Sequence, residues 1–416
     1  MKKTFTQILV VVLMLCLTFS LVACGGTSNT PAASQSAGSS SSDAPEAGGV
    51  FKLGFCSPLS GPNAEAGQET LNSVEAYVDV LNANGGLNGQ QIELVIYDDE
   101  ADPATSLSAM TKLCTSDKVN AIIGSIMSSC VIGAVDTIQQ YGVPTITGGM
   151  SPTLTEQGCE FLFRDVINQD YPLAQLVDAV VASGAKKIAI FTLQDESQIV
   201  AGDRFEAAMK ENGIEITARE YGNDTDTDYT AQCANLIASK PDAIFYKVTT
   251  PASPLFVKQV RDLGYAGPLW LGESFQLGGI QVAGDTSDYV CFAWPMVTVE
   301  SVEDAINPVM EDFLTVYSAA YGGVPKTDCA YRAWDGMIIL EAGCKAAGSN
   351  DTDAIAKAIH GISDLDLLGG KADFTNGKGE GYQAAQLFYV KGGKYYDFKE
   401  WFDSGEYDTW YASVMG

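Results

Sequence analysis

The chain has 416 residues, with 52 acidic side chains against 24 Lys and Arg, a formal charge of −28 and a single histidine. So acidic a surface argues against nucleic acid and anionic lipid as direct partners, because both are polyanions. The length is sufficient for two domains of ordinary size.

Met1-Lys2-Lys3, a mostly apolar run from Ile8 to Val22 and the small residues before Cys24 predict a secretory signal over residues 1–23. The run is short for a membrane span, which needs roughly 20 apolar residues. Leu21-Val22-Ala23-Cys24 resembles the bacterial lipobox, which implies that Cys24 is lipidated and tethers the chain to the outer face of the cell membrane. Residues 24–49 are mostly Gly, Ser, Ala, Thr and Pro, too poor in apolar side chains to offset ordering entropy, and are expected to form a disordered linker. Such a tether has an r.m.s. span of roughly 27 Å. Eight cysteines remain after Cys16 and Cys24, at scattered spacings and with no Cys-x-x-Cys pair, so neither zinc nor a redox motif is indicated. Export permits disulfides, but no pairing follows from the spacings.

From Val50 onward, strand and helix patterns alternate. Residues 50–55 predict a strand, and Leu71, Val74, Ala76-Tyr77-Val78 and Leu81 follow at helical spacing. A turn cluster at 82–89 leads to a strand at 92–97. Pro103 opens a helix, where its missing N–H costs nothing. Strands at 119–123 and 143–147 flank a helix predicted over 128–141. The alternation restarts with strands at 186–191, 214–221, 242–248, 269–272 and 289–293, and helices at 202–212, 228–239 and 254–263. Helices then dominate from Glu303 to His360. Tyr395-Tyr396, Trp401 and Trp410-Tyr411 read as a strand plus a packed tail rather than a sugar platform. This order predicts an α/β fold of two doubly wound parallel-sheet lobes, one of them completed late in the chain.

Ala121-Ile122-Ile123-Gly124-Ser125-Ile126-Met127-Ser128-Ser129 is a buried strand, a glycine turn and two hydroxyls at a helix start. In open α/β sheets ligands sit outside the strands' carboxyl ends, where unpaired helix N–H groups suit a carboxylate. A serine there is equally an ordinary N-cap, so the stretch alone leaves both readings open.

Further motifs carry a resemblance. Ser60-Gly61-Pro62-Asn63, Leu81 to Gly89, Tyr97-Asp98-Asp99 with Asp102-Pro103, Val143-Pro144, Pro152-Thr153-Leu154-Thr155, Phe163-Arg164, Asp226-Thr227-Asp228-Tyr229 and Asp335-Gly336 occur in one order with few gaps. The set resembles the branched-chain amino acid binding proteins, type I periplasmic solute-binding proteins of ABC importers. The resemblance implies lobe 1 at 50–166 and 298–374, lobe 2 at 167–297 and 375–416, and a three-segment hinge that closes on ligand. It also implies that Ile126 and Ser128 meet the ligand's carboxylate and amine, joined by one of Gly149, Met150 and Ser151, with Glu273 on the ammonium from lobe 2. Ala66, Ser197, Thr249 and Cys329 stand where the family commonly has aromatic or bulkier residues, which implies a ligand other than leucine. The family's frequent disulfide would join Ala101 to Met127 and is absent.

Other chemistries fare poorly. A calcium loop begun at Asp224 would need Gly and Glu where Tyr229 and Asn235 stand. A Ser–His–Asp triad could use only His360, which sits at a predicted helix end before Gly361; no Gly-x-Ser-x-Gly or phosphate loop occurs. The expectation is therefore a non-enzymatic, lipid-anchored receptor, with no cofactor or metal and no nucleic acid partner. It would bind a small amino-acid-like molecule and deliver it to an ABC permease. A sensory ectodomain of the same fold, reporting to a membrane signalling partner, is the alternative.

Overall fold

The computed structural model describes residues 49–415, so the predicted signal, Cys24 and nearly all of the linker lie outside the described residues. Five strands, β1 (Val50–Ser57), β2 (Gln91–Asp98), β3 (Ala121–Ile123), β4 (Thr145–Thr147) and β5 (Leu162–Arg164), form an all-parallel sheet in the order β2-β1-β3-β4-β5. β3, β4 and β5 are buried at every residue, as expected where a parallel sheet is covered on both faces.

The second sheet is built from β6 (Lys187–Leu193), β7 (Glu215–Gly222), β8 (Ala243–Lys247), β9 (Leu269–Leu271) and β10 (Val290–Trp294), parallel in the order β10-β9-β8-β6-β7. After a small ribbon of β11 (Leu365–Leu367) and β12 (Gly370–Ala372), β13 (Gln386–Lys391) and β14 (Lys394–Asp397) extend this sheet antiparallel beyond β10. The chain passes between the two sheets three times: after β5, after β10 and between β12 and β13.

Three local departures from the predicted pattern have physical causes. The single helix expected over 128–141 is two helices, Ser128–Ile132 and Val135–Tyr141, separated at Gly133 and Ala134; glycine is among the weakest helix formers. The helix expected from 202 starts at Glu196, where Asp195 accepts a hydrogen bond from Ser197 N as N-cap. Its first turns include Ile199 and Val200, β-branched residues whose low propensity obscures the start. Helix Asp170–Ala182 is unanticipated because it carries Pro172, which its first turn tolerates.

Helix Asp328–Ala347 packs against helix Ala64–Ala83, with Tyr77 and Trp334 edge-to-face at 4.6 Å. Its first three turns are buried nearly all round, so Asp328, Arg332 and Asp335 must find partners inside the protein. Tyr382 Oη donates to Asp335 Oδ2 at 2.6 Å and Leu368 N to Oδ1 at 2.8 Å. A helix late in the chain thus packs against one from its beginning. Among the described residues, no helix is long and apolar enough to cross a membrane.

Helix Ala64–Ala83 meets the end of β1 through Gly67, where an added Cβ would lie 1.7 Å from the Pro58 carbonyl oxygen. Backbone cannot yield as a side chain can. Gly67→Ala is therefore expected to cost about 2 kcal/mol in urea unfolding, within the range of overpacked sites. An unchanged midpoint would show that this contact is slack.

Candidate ligand-binding site

The strands' carboxyl ends from both sheets converge on one cavity of about 50 Å³. A buried water needs roughly 10–15 Å³ on this scale, so the space admits a compact solute. The β3 turn brings Ile126, Met127 and Ser128; the β4 turn brings Met150; the β8 turn brings Thr249, Thr250 and Pro251; and the β9 turn brings Glu273. Helix Glu196–Glu211 adds Ser197 and Gln198, and helix Asp328–Ala347 adds Cys329 and Arg332.

Eight of the ten residues singled out from sequence line this cavity: Ala66, Ile126, Ser128, Met150, Ser197, Thr249, Glu273 and Cys329. Gly149 and Ser151 lie behind its wall. Gly149 has close-packed neighbours, an added Cβ falling 2.7 Å from Leu154, while Ser151 Oγ donates to Glu196 Oε1 at 2.9 Å across the cleft.

Ser128 knits two loops together. Its Oγ accepts from Met150 N at 3.0 Å and Ser151 N at 3.1 Å. A hydroxyl has two acceptor lone pairs and one donor, so its proton stays available to another acceptor. The second loop is held from the opposite side by Arg164. The fully buried guanidinium donates to the carbonyls of Gly149 and Ser151 and to Thr155 Oγ1, and faces Glu380. Burial pulls the Arg164 pKa down to about 10, while Glu380 favours the charged form.

Two of the charged lining groups, Glu273 and Arg332, are paired within the protein, while Asp195 has no ion-pair partner among the described residues. Lys247, at the end of β8, donates to Glu273 Oε2 at 2.5 Å with both residues buried. Glu273, expected from sequence to await a ligand ammonium, thus already has a cation on one oxygen; Oε1 meets only its neighbour Ser274 N, at 3.3 Å. Arg332 pairs with Asp328 at 3.0 Å and donates to Gly148 O at 3.2 Å. Asn63 Nδ2 reaches Asp224 Oδ2 across the cleft at 2.5 Å, and Ser274 Oγ reaches Asp328 Oδ2 at 3.2 Å.

Sequence reasoning missed Lys247, Arg332, Asp195 and Gln198, yet each left a signal. Lys247 ends the otherwise apolar strand Ala-Ile-Phe-Tyr-Lys. Asp328 and Arg332 stand one helical turn apart in an apolar stretch. Asp195 and Gln198 have capping-box spacing. His360 follows helix Thr352–Ile359 as its C-cap and contacts Glu160 O at 2.9 Å, away from the cavity lining.

A family model described as periplasmic binding protein matches residues 50–394. This chain belongs to that family. Among curated relatives of this periplasmic binding protein, a Leu/Ile/Val-binding protein homolog from Brucella melitensis is 25% identical over 74% of this chain and 82% of its own. A leucine-, isoleucine-, valine-, threonine-, and alanine-binding protein from Pseudomonas aeruginosa has the same identity and coverage. Among solved structures, LivJ of Streptococcus pneumoniae, a branched-chain amino acid transporter substrate-binding protein in complex with isoleucine, aligns with TM-score 0.73 and 25% identity. That alignment covers 83% of this chain and 97% of LivJ. A solute-binding protein from R. palustris in complex with benzoate aligns with TM-score 0.76 over 84% and 96% of the two chains; at 24% identity it shows the fold alone. The fold is therefore that of the type I periplasmic binding proteins, with the family's extracellular or periplasmic setting.

Removing one member of a buried ion pair strands the other. Lys247→Met is expected to cost about 3–5 kcal/mol in urea unfolding, and Lys247→Met with Glu273→Leu to recover most of it. Additive losses in the double variant would contradict the pairing.

Asp165 lies buried near Arg332, and burial raises its carboxyl to about 7 despite the opposing guanidinium. A folded-state pKa raised from 3.8 means the native state holds the proton more tightly. The resulting stability is complete below about pH 4 and is lost as pH rises through about 7. Asp165→Asn keeps the uncharged form, so its advantage over the parent is expected to grow by about 1–3 kcal/mol between pH 5 and pH 8. A difference that does not vary with pH would contradict this.

Proposed function

We propose that this chain is the solute receptor of an ABC importer, anchored through Cys24 outside the cell, which captures an amino acid or amino-acid-like molecule and hands it unaltered to a membrane permease. The observation that carries the reading is one cavity walled by loops of both sheets, at the carboxyl ends where α/β folds bind ligands. The names of the Brucella and Pseudomonas relatives, and isoleucine in LivJ, favour an α-amino acid skeleton.

The lobes, 50–166 with 298–374 and 167–297 with 375–416, move as two bodies about three crossovers. In the closed form Asn63 meets Asp224, Ser151 and Thr153 meet Glu196, and Ser274 meets Asp328. These few polar bonds replace bonds to water, each for a net of about 1 kcal/mol. The ligand tips the balance by contacts made only when both walls are present. Its carboxylate accepts from the Ser128 hydroxyl and the N–H groups opening the following short helix. Its ammonium turns to Glu273 Oε1, the oxygen opposite Lys247. Ile126, Met150, Ser197, Thr249 and Ala66 complete the enclosure, and Gly149 and Ser151 hold the loop that carries Met150.

Calorimetric titration with a panel of amino acids is expected to give one class of binder at one site per chain. Ser128→Ala is expected to weaken it at least tenfold, about 1.4 kcal/mol. A panel without a binder, or catalytic turnover of one of its members, would overturn the proposal.

A further inference from the structure

The cavity is polar where an aliphatic side chain would need it to be apolar. Ten of its fifteen lining residues carry polar or ionisable side chains, and the apolar remainder is Ala66, Ile126, Met127, Met150 and Pro251. Two polar residues, one from each lobe, are incompletely satisfied: Gln198 Oε1 and Arg332 Nε are buried with no hydrogen-bond partner in the protein. The rest of the Arg332 guanidinium is already engaged, Nη1 by Gly148 O and Nη2 by Asp328.

We infer that the solute has a side chain ending in a carbonyl group, a carboxamide or a carboxylate, and that Arg332 and Gln198 select it over leucine, isoleucine and valine. This rests on the reading of the cavity as an amino-acid site. Arg332 Nε can only donate, so the group that satisfies it must be an acceptor. Gln198 offers an acceptor at Oε1 and donors at Nε2, and so fits a carboxamide directly and a carboxylate after its amide turns over. The two residues come from opposite walls, so a ligand that bonds both is bound fully only in the closed form. A hydrocarbon side chain leaves both groups buried and unpaired. Sites built to bond a polar group reject analogues that lack it far more strongly than apolar pockets reject one methylene.

The charge of the wall supports this choice. Lys247 with Glu273 and Arg332 with Asp328 are neutral in sum and Asp195 adds one negative charge, so the wall offers hydrogen-bonding positions without a surplus of positive charge. The test is calorimetric titration of the full chain with glutamine, asparagine, glutamate and aspartate against leucine, isoleucine and valine. The expected result is that at least one of the first four binds at least tenfold tighter than any of the last three. The amide and acid arms then show which terminal group the site takes. Gln198→Met, which keeps the length and removes both polar atoms, is expected to erase at least tenfold of that advantage while the thermal midpoint stays within a few degrees. Equal or tighter binding of the aliphatic amino acids overturns this inference and leaves the amino-acid receptor standing. An unchanged preference in Gln198→Met also overturns it. Failure of every amino acid to bind removes the receptor reading and this one with it.

Discussion

The cleft depends on burying ionised side chains only in matched pairs. Taking one ion out of water costs several kcal/mol, repaid only when an opposite charge and good hydrogen bonds travel with it. Lys247 with Glu273, Arg332 with Asp328 and Arg164 with Glu380 each meet that condition beside the cavity or directly behind it. Two of the pairs span different elements, β8 to the β9 turn and β5 to the segment before β13, while Asp328 and Arg332 lie one turn apart in a single helix. They fix the walls before any ligand arrives. Energy that would otherwise go into ordering side chains around a ligand remains available for binding it.

The same pairs connect the site to the segments that join the lobes. Arg164 belongs to β5, immediately before the first crossover, and its partner Glu380 lies within the third. Arg164 holds the carbonyls of the loop carrying Met150, and Glu380 faces its guanidinium. A change in crossover geometry would therefore move this loop directly. Across the cleft itself the contacts are few and polar, from Asn63 to Asp224 and from Ser274 to Asp328. In the proposed receptor, polar contacts of this kind exchange for bonds to water at little net cost.

Much of this was legible in the sequence for a simple reason. Strand carboxyl ends and the turns after them are local features, so Ser128 could be placed by counting from an apolar run, whereas Thr249 and Glu273 came through the family resemblance. Parallel pairing followed from alternation, and the late helices from the lack of strands near Glu303 to His360. What escaped was pairing across distance. Lys247 and Glu273 are 26 residues apart, and Asn63 and Asp224 are 161 apart; no local pattern joins them. Helix boundaries slipped where β-branched residues or a first-turn proline masked a start, as at Glu196 and Asp170. The cation already on Glu273 escaped for the same reason, because Lys247 belongs to another strand.

The central claim is that the lobes enclose one compact, hydrogen-bonding solute. The most direct measurement is mass spectrometry of small molecules released by denaturing the protein after purification in its native state from cells grown in rich medium. The predicted result is a single amino-acid-like molecule with a carboxamide or carboxylate side chain, approaching one per chain. Recovery of leucine, isoleucine or valine at that ratio, or of a solute with no polar side group, would contradict it.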